Sequence, residues 1–282
     1  MTPELATRRD ALLATLSALP GAAIAFSGGV DSATVAMAAH VALGAKAFAV
    51  TADSPSVPRS ELAAARELAA FIGIRHEVVA TLEFADANYT KNDGSRCYYC
   101  KSELYDRILQ LPLGGAVVCS GANLDDNGDY RPGLVAAAER AVRHPLQEAG
   151  FTKADVRALA AAWKLPVWDK PASPCLASRM VPGLAVTPER TGRVEQAEAY
   201  LRELGLVDCR VRYHEGDLAR VEVPADAIAA LADTATRAAL VAKFERLGFR
   251  FVTLDLAGLR SGSMNGLIPL TVRERFAAGE RT

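Results

Sequence analysis

The sequence predicts an α/β protein in two parts: a parallel sheet domain over residues 1–180 and a smaller α+β domain over residues 181–282. In the first part, short apolar runs alternate with helical patterns, which is typical of parallel βαβ units. After Pro182-Gly183, the segments 207–213 and 219–223 alternate apolar and polar residues, as adjacent strands do. A chain of 282 residues is long enough for both domains.

Glycine, proline and helix-capping residues mark where the predicted helices and strands begin and end. Thr2 precedes Pro3, which is a cap followed by a proline at the first helical position. Thr152 and Asp155 form a capping box before a later helix. In the first part we expect helices at 3–19, 31–43, 60–72, 97–111 and 153–163, and strands at 23–26, 47–51, 74–79 and 116–120. In the second part we expect helices at 188–204, 225–231 and 237–247, and a final strand at 249–254.

The segment SGGVDS joins the first strand to the helix behind it. Two glycines permit a sharp turn and close approach of a ligand to the backbone. Successive amides at a helix N-terminus bind anions, and two serines add hydroxyl donors. The segment has neither the lysine of a Walker A loop nor the G-x-G-x-x-G spacing of a dinucleotide site. The sequence therefore predicts a pyrophosphate-binding loop made of Ser27, Gly28, Gly29, Val30, Asp31 and Ser32.

This segment resembles the PP-loop of the ATP pyrophosphatases, the adenine nucleotide alpha hydrolase-like enzymes. The resemblance implies that ATP is cut between its α and β phosphates and that a carbonyl oxygen is adenylated. We expect Asp31 to be catalytic, by holding Mg²⁺ or orienting the loop. Because ligands lie at the carboxyl ends of parallel strands, Thr51 and Asp53 after the second strand are also expected to bind ATP. The same holds for Gly121 and Asn123 after the fourth strand.

An acidic segment, GANLDDNGDYRPG, follows the fourth predicted strand. ATP requires Mg²⁺, which takes one or two carboxylates together with phosphate oxygens. We therefore expect a magnesium or ribose contact here, with Asp126 and Asp129 as the candidate metal ligands. The alternative is a solvated turn, since Asp and Asn are common turn residues.

The composition limits the class of protein. Half of the residues are hydrophobic and the net charge is −1, which is typical of a soluble globular protein. We expect no nucleic-acid partner from so neutral a chain. The N-terminus has no apolar signal core, and no apolar run reaches membrane-spanning length, so we expect a cytoplasmic protein.

The five cysteines separate into two kinds. Cys119 and Cys209 lie in apolar strand patterns and are expected to be buried in the core. Cys97 and Cys100 form a lone C-x-x-C at the start of a predicted helix, without the second pair of a zinc site. A thioredoxin-like disulfide is one alternative for this pair. Cys175 lies in a proline-bounded loop near two cations, Lys170 and Arg179, which favours its thiolate form.

Five segments carry a more specific resemblance: SGGVDS, RCYYCK, GANLDDNGDYRPG, WDKPASPCLASR and LDLAGLRSGSMN, in that order. Together they resemble the LarE family, the ATP-dependent sulfur transferases that make the nickel-pincer cofactor of lactate racemase. The resemblance implies that the carboxylates of pyridinium-3,5-biscarboxylic acid mononucleotide are adenylated and then converted to thiocarboxylates. It also implies that Cys175 carries the sulfur chemistry, and that the protein is a homo-oligomer.

The family uses two sources of sulfur. In one, a single cysteine gives up its own sulfur and becomes dehydroalanine. In the other, three cysteines hold a 4Fe–4S cluster whose fourth iron carries an extra sulfide. Because this chain has Cys97 and Cys100 besides Cys175, we favour the cluster, and the sacrificial cysteine is the alternative.

Arginines are expected to bind the anionic mononucleotide, because a guanidinium matches carboxylate and phosphate with two parallel hydrogen bonds. The candidate arginines are Arg179, Arg212 and Arg260. Ser263 is a further candidate, because residues 260–263 can form a phosphate-binding turn, for which an ordinary surface turn is the alternative. Two rival functions remain open from the sequence. One is a PP-loop enzyme that thiolates tRNA, and the other is a redox-sensing ATP-binding module without catalysis.

Overall fold

A computed structural model describes residues 1–127, 131–260, 264–267 and 270 of the chain. They form two compact units. Unit 1 contains Met1–Glu83 and Cys97–Ser173, and unit 2 contains Phe84–Arg96 and the described residues from Pro174 onward. The chain passes from unit 1 to unit 2 after Ser173, close to the expected boundary near 180. The earlier segment Phe84–Arg96 also belongs to unit 2.

Unit 1 is built on a parallel four-stranded sheet with the order β3-β2-β1-β4. The strands are β1 (Ala22–Ala25), β2 (Ala47–Asp53), β3 (Arg75–Ala80) and β4 (Val117–Cys119). The helices of this unit are α1 (Pro3–Ser17), α2 (Val30–Leu43), α3 (Arg59–Ile72), α5 (Arg96–Leu109), α6 (Pro132–Glu139), α7 (Pro145–Glu148) and α8 (Lys153–Ala162). The predicted parallel α/β class is confirmed, although α6 and α7 were not expected from the sequence.

The central strand β1 is buried at every residue because helices cover both faces of the sheet. On one face Ile24 packs with residues of α1, α2 and α8, and on the other Ala23 packs with residues of α5 and α6. Such a strand appears in the sequence as a continuous apolar run. Since β1 pairs with β2 on one side and β4 on the other, the loop after β1 lies between the carboxyl ends of two neighbours.

Unit 2 is a smaller α+β unit whose sheet has the order β5-β6-β7. Its strands are β5 (Arg210–His214), β6 (Leu218–Glu222) and β7 (Phe251–Leu254). Its helices are α4 (Ala87–Thr90), α9 (Pro188–Glu203), α10 (Ile228–Ala232) and α11 (Thr234–Arg246). The hairpin β5–β6 is antiparallel, and β7 joins β6 in parallel. In the part of the chain that the structure describes, no helix is long and apolar enough to cross a membrane.

Hydrogen bonds explain why residues 84–96 belong to unit 2. The side chain of Asn92 donates to the carbonyls of Val181 and Leu184 at 2.9 and 3.0 Å. The backbone N–H of Val186 donates to the carbonyl of Thr90 at 2.8 Å. These bonds join residues about ninety positions apart, so no local pattern in the sequence indicates them.

Candidate active site

The predicted phosphate loop follows β1 and is stabilised by hydrogen bonds among its own residues. Gly28 has φ +72°, a conformation that favours glycine, and Gly29 is the extended N-cap of α2. The backbone N–H of Ser27 donates to Ser32 Oγ at 3.2 Å, and the two serine hydroxyls lie 3.2 Å apart. Ser32 Oγ also donates to the carbonyl of Gly29 at 3.1 Å. These hydrogen bonds fix the conformation of the loop from within.

Gly121 packs directly against this loop. A Cβ on Gly121 would lie 2.7 Å from the backbone N of Ser32 and 2.9 Å from the carbonyl carbon of Asp31. Both are backbone atoms at the start of α2, so neither can move without moving the loop. Gly121, which we expected to bind ATP, therefore also sets the position of the loop.

Replacing Gly121 by alanine is expected to lower stability by about 1–3 kcal/mol because the new Cβ overpacks a fixed backbone. It should also lower AMP formation from ATP, since the loop must shift. Urea unfolding and an AMP assay measure the two effects. Gly192→Ala in α9 is the matched control, because a Cβ there meets nothing within 4 Å. A G121A variant with wild-type stability and activity would contradict this account of the loop.

Asp31 lies at the start of α2 with both carboxylate oxygens engaged. Asn123 Nδ2 donates to Oδ1 at 3.1 Å, and Lys153 Nζ lies 2.5 Å from Oδ2. Lys153 is 122 residues from Asp31 in sequence and was missed by the sequence analysis. One signal was present: Lys153 is the first residue of α8, where the helix dipole disfavours a cation. A lysine in that position is stabilised by a nearby anion, here Asp31.

The two described aspartates of the acidic segment stabilise the turn after β4. Asp125 accepts a hydrogen bond from the backbone N–H of Lys153 at 2.9 Å. Asp126 accepts from the backbone N–H of Asn123 at 3.0 Å and pairs with Arg131 at 2.8 Å. Asp129 lies outside the described residues. The role of Asp126 and Asp129 in Mg²⁺ binding therefore stays a prediction.

The end of β2 is connected to the same loop. Thr51 Oγ1 donates to the carbonyl of Phe26, one residue before the loop, at 2.7 Å. Because this bond uses the hydroxyl proton, His76 Nε2 must be the donor in its 2.8 Å contact with Thr51 Oγ1. Burial lowers the pKa of His76. Asp53 pairs with Arg59 at 2.5 Å. Thr51 thus orients the loop, and its contact with ATP stays a prediction, as does that of Asp53.

The three cysteines expected to take part in chemistry are accessible. Cys97 is exposed and Cys100 is half-buried, and both lie near the start of α5 in unit 1 with the spacing of one helical face. Cys175 is half-buried in unit 2, immediately before a 3-10 turn at Leu176–Arg179. None of these cysteines forms a disulfide. Among the described residues, no group of three or more His, Cys, Asp or Glu side chains is placed to hold a metal ion.

The other two cysteines are buried, as predicted. Cys119 in β4 is 0% exposed and Cys209 before β5 is 1% exposed. Burial raises the pKa of the Cys119 thiol to about 12 and that of Cys209 to about 11. Neither is a source of thiolate near neutral pH, so both act as small apolar side chains.

Alanine at Cys119 or Cys209 is therefore expected to cost about 1–2 kcal/mol of stability and no chemistry. Each variant removes one buried sulfur atom and leaves a small cavity. Urea unfolding and a sulfur-transfer assay on each variant measure the two properties. If either variant kept its stability but lost sulfur transfer, the division of the cysteines would be wrong.

Arg179 holds the backbone around Cys175. Its side chain is 2% exposed and pairs with Glu198 through two nitrogens, at 2.9 and 3.2 Å. It also donates to the carbonyls of Pro174 at 2.5 Å and Cys175 at 3.1 Å. These contacts occupy most of the donors of the guanidinium group. Arg179 therefore positions the Cys175 segment, and direct binding of substrate by this residue stays a prediction.

The remaining candidate substrate ligands differ in exposure. Arg212 is buried, pairs with Glu222 at 2.8 Å and donates to the carbonyl of Ser178 at 3.3 Å. Arg260 is exposed and lies 4.0 Å from Asp255. Ser263 lies outside the described residues. Of the described candidates, Arg260 has the guanidinium group that is most accessible to a ligand.

Two further cations near the cysteines in sequence have structural partners. Lys170, expected beside Cys175, pairs with Glu61 at 2.6 Å within unit 1. Arg96, directly before Cys97, donates to the carbonyl of Ala177 at 3.0 Å within unit 2. Arg96 therefore connects the segment before the C-x-x-C to the turn after Cys175.

Comparison of the sequence with known proteins shows which family and which proteins this chain is similar to. Residues 9–90, which include the phosphate loop, match the asparagine synthase family. The chain is 48% identical over 252 residues to the uncharacterized protein slr1717 of Synechocystis, covering 89% of this chain and 94% of that protein. It is 38% identical over 279 residues to the pyridinium-3,5-bisthiocarboxylic acid mononucleotide synthase of Lactiplantibacillus plantarum, covering 97% and 99%. The similarity thus extends over both units and not only over the phosphate loop.

Proposed function

Because the chain belongs to the LarE family, that of the pyridinium-3,5-bisthiocarboxylic acid mononucleotide synthases, we propose that it is an ATP-dependent sulfurtransferase of nickel-pincer cofactor synthesis. Its substrate is pyridinium-3,5-biscarboxylic acid mononucleotide. The reaction converts each carboxylate to a thiocarboxylate and releases AMP and pyrophosphate. The single observation that carries the proposal is the loop at Ser27–Ser32, with the carboxylate of Asp31 fixed beside it.

The first step is adenylation. ATP·Mg²⁺ binds with its phosphates on the amides of Ser27–Ser32, at the positive end of α2. A carboxylate oxygen of the substrate attacks the α-phosphorus, the bond to the bridging oxygen breaks, and pyrophosphate leaves. Asp31 holds Mg²⁺ or orients the loop. Fixed donors around the phosphates stabilise the charge that develops in the transition state, without reorganisation of solvent.

The second step is sulfur transfer at Cys175. A sulfur nucleophile delivered there attacks the carbonyl carbon of the acyl-adenylate, and AMP leaves with the electron pair of the broken carbon–oxygen bond. Arg179 and its buried partner Glu198 keep the Cys175 segment in one conformation. Arg212 and Arg260 bind the anionic groups of the mononucleotide.

Cys97, Cys100 and Cys175 are the residues that would hold a 4Fe–4S cluster. The thiols of these three cysteines are accessible, as cluster ligands must be, whereas the thiols of Cys119 and Cys209 are buried. The cluster would supply an open iron site for inorganic sulfide. The alternative, with Cys175 as a sacrificial donor, needs neither Cys97 nor Cys100.

Incubation with Mg·ATP tests the proposed function. We expect AMP and pyrophosphate to form, and to depend on the mononucleotide precursor. AMP formation that required tRNA instead would favour the tRNA-thiolating alternative, and ATP binding without turnover would favour a redox-sensing module. We also propose that the protein is a homo-oligomer that acts without a nucleic-acid partner, which sedimentation with and without tRNA would test.

A further inference from the structure

We propose that Glu83 and the hydroxyl groups of Ser54, Ser56 and Thr81 hold a monovalent alkali cation inside unit 1. All four residues follow the carboxyl ends of β2 and β3, and all four are buried. Glu83 is 3% exposed and Thr81 is 6% exposed. A carboxylate so far removed from water is costly unless hydrogen bonds and an opposite charge compensate it.

The backbone and the hydrogen bonds bring these four residues together. The hydroxyl groups of Ser54 and Ser56 lie 2.9 Å apart, and Ser56 Oγ donates to Glu83 Oε1 at 3.2 Å. Thr81 is close to them, because its backbone N–H donates to the carbonyl of the residue before Ser54 at 3.1 Å. Leu82 is 58% exposed whereas its two neighbours are buried, so the side chains of Thr81 and Glu83 lie on the same side of the chain.

Two oxygen atoms of this group lack a partner. Within the described part of the chain, neither Glu83 Oε2 nor Thr81 Oγ1 forms a hydrogen bond, and both atoms are buried. Protonation of the carboxyl group does not remove the deficit, because Oε2 still lacks a partner either as an O–H donor or as a carbonyl acceptor. A buried water molecule would supply hydrogen bonds but no charge. A cation both neutralises the carboxylate and accepts the lone pairs of the two oxygens.

The chemistry of the four side chains indicates a monovalent cation. They offer only oxygen atoms and one formal negative charge, which a single positive charge neutralises. Mg²⁺ keeps several bound waters and Ca²⁺ takes about six to eight oxygen ligands, which four buried side chains do not provide. Potassium and sodium both take oxygen ligands. Bound here, either ion would hold the segment 54–58, between β2 and α3, against the end of β3.

Thermal unfolding at constant ionic strength tests the site, with KCl, NaCl and tetramethylammonium chloride as the salts. The wild type should melt about 2–4 °C higher in KCl or NaCl than in tetramethylammonium chloride, because a ligand that binds only the folded state stabilises it. The larger shift identifies the cation. Glu83→Gln should lose the shift because it removes the charge, and Ser56→Ala, a second variant, should reduce it.

Equilibrium dialysis measures binding directly, with radioactive rubidium in place of potassium or with radioactive sodium. We expect one ion per wild-type chain and none on E83Q. Glu67→Gln is the matched control, because Glu67 is an exposed glutamate of α3 in the same unit. It should keep the wild-type shift and the bound ion.

Equal melting temperatures of the wild type in the three salts would overturn the proposal and leave a water molecule as the partner of Glu83 Oε2. An equal shift in the wild type and E83Q would also overturn it, since the salts would then act elsewhere on the protein. If neither variant folds, dialysis of the wild type decides: a bound ion supports the site, and no bound ion overturns it.

Discussion

Alanine at Cys175 is expected to abolish thiocarboxylate formation while AMP formation continues. The sulfur atom at this position is the donor or holds the donor in both forms of the proposed chemistry, and it takes no part in cleavage of ATP. Alanine removes little else, because Cys175 is half-buried and Arg179 bonds to its carbonyl and not to its thiol. Mass spectrometry of the mononucleotide, together with an AMP assay, measures both reactions.

Cys209→Ala is the control for Cys175→Ala, because it removes a buried thiol from the same unit. Thiocarboxylate formed by C175A at the wild-type rate would contradict the assignment of Cys175.

Alanine variants of Cys97 and Cys100 distinguish the two sources of sulfur. With a cluster, C97A and C100A also lose iron, labile sulfide and sulfur transfer. With a sacrificial cysteine they stay active, and the wild-type protein contains dehydroalanine at position 175 after reaction.

Asparagine at Asp31 is expected to lower AMP formation by about 10²–10³-fold and to leave the fold intact. Asparagine has nearly the same shape and keeps an oxygen for Asn123, but it loses the charge that pairs with Lys153 and can hold Mg²⁺. Single-turnover formation of AMP measures the effect, and circular dichroism measures the fold.

Asp10→Asn is the matched control for Asp31→Asn, because Asp10 is an exposed aspartate of α1. It should react at the wild-type rate. Wild-type AMP formation by D31N, with precursor present, would show that Asp31 neither holds Mg²⁺ nor orients the loop.

The parallel sheet was predictable because each of its features is local. β1 and the first residues of β2 are buried on both faces and appear as short apolar runs, and the loop glycines mark the turn between β1 and α2. Helix α8 was predictable from its capping box. Helix α6 was missed because its first two residues, Pro132 and Gly133, belong to the acidic segment, whose composition is typical of a turn.

The parts of the site that were not predictable depend on contacts between distant residues. Lys153 and Asp31 meet across 122 positions, and no local pattern identifies Asp31 as the partner of the lysine at the start of α8. The buried Glu198 changes the expected role of Arg179, because it pairs with the guanidinium group that we expected to bind the substrate. Residue type therefore indicates which chemistry is available, and the tertiary partners determine which side chains are engaged in holding the fold.

The most direct test of the account is the mass of the mononucleotide after anaerobic reaction with Mg·ATP and sulfide. We expect an increase by the difference between a sulfur and an oxygen atom for each carboxylate, with one AMP and one pyrophosphate per sulfur transferred. ADP as the nucleotide product, or an unchanged mononucleotide beside full ATP consumption, would contradict the claim that this protein is an ATP-dependent sulfurtransferase.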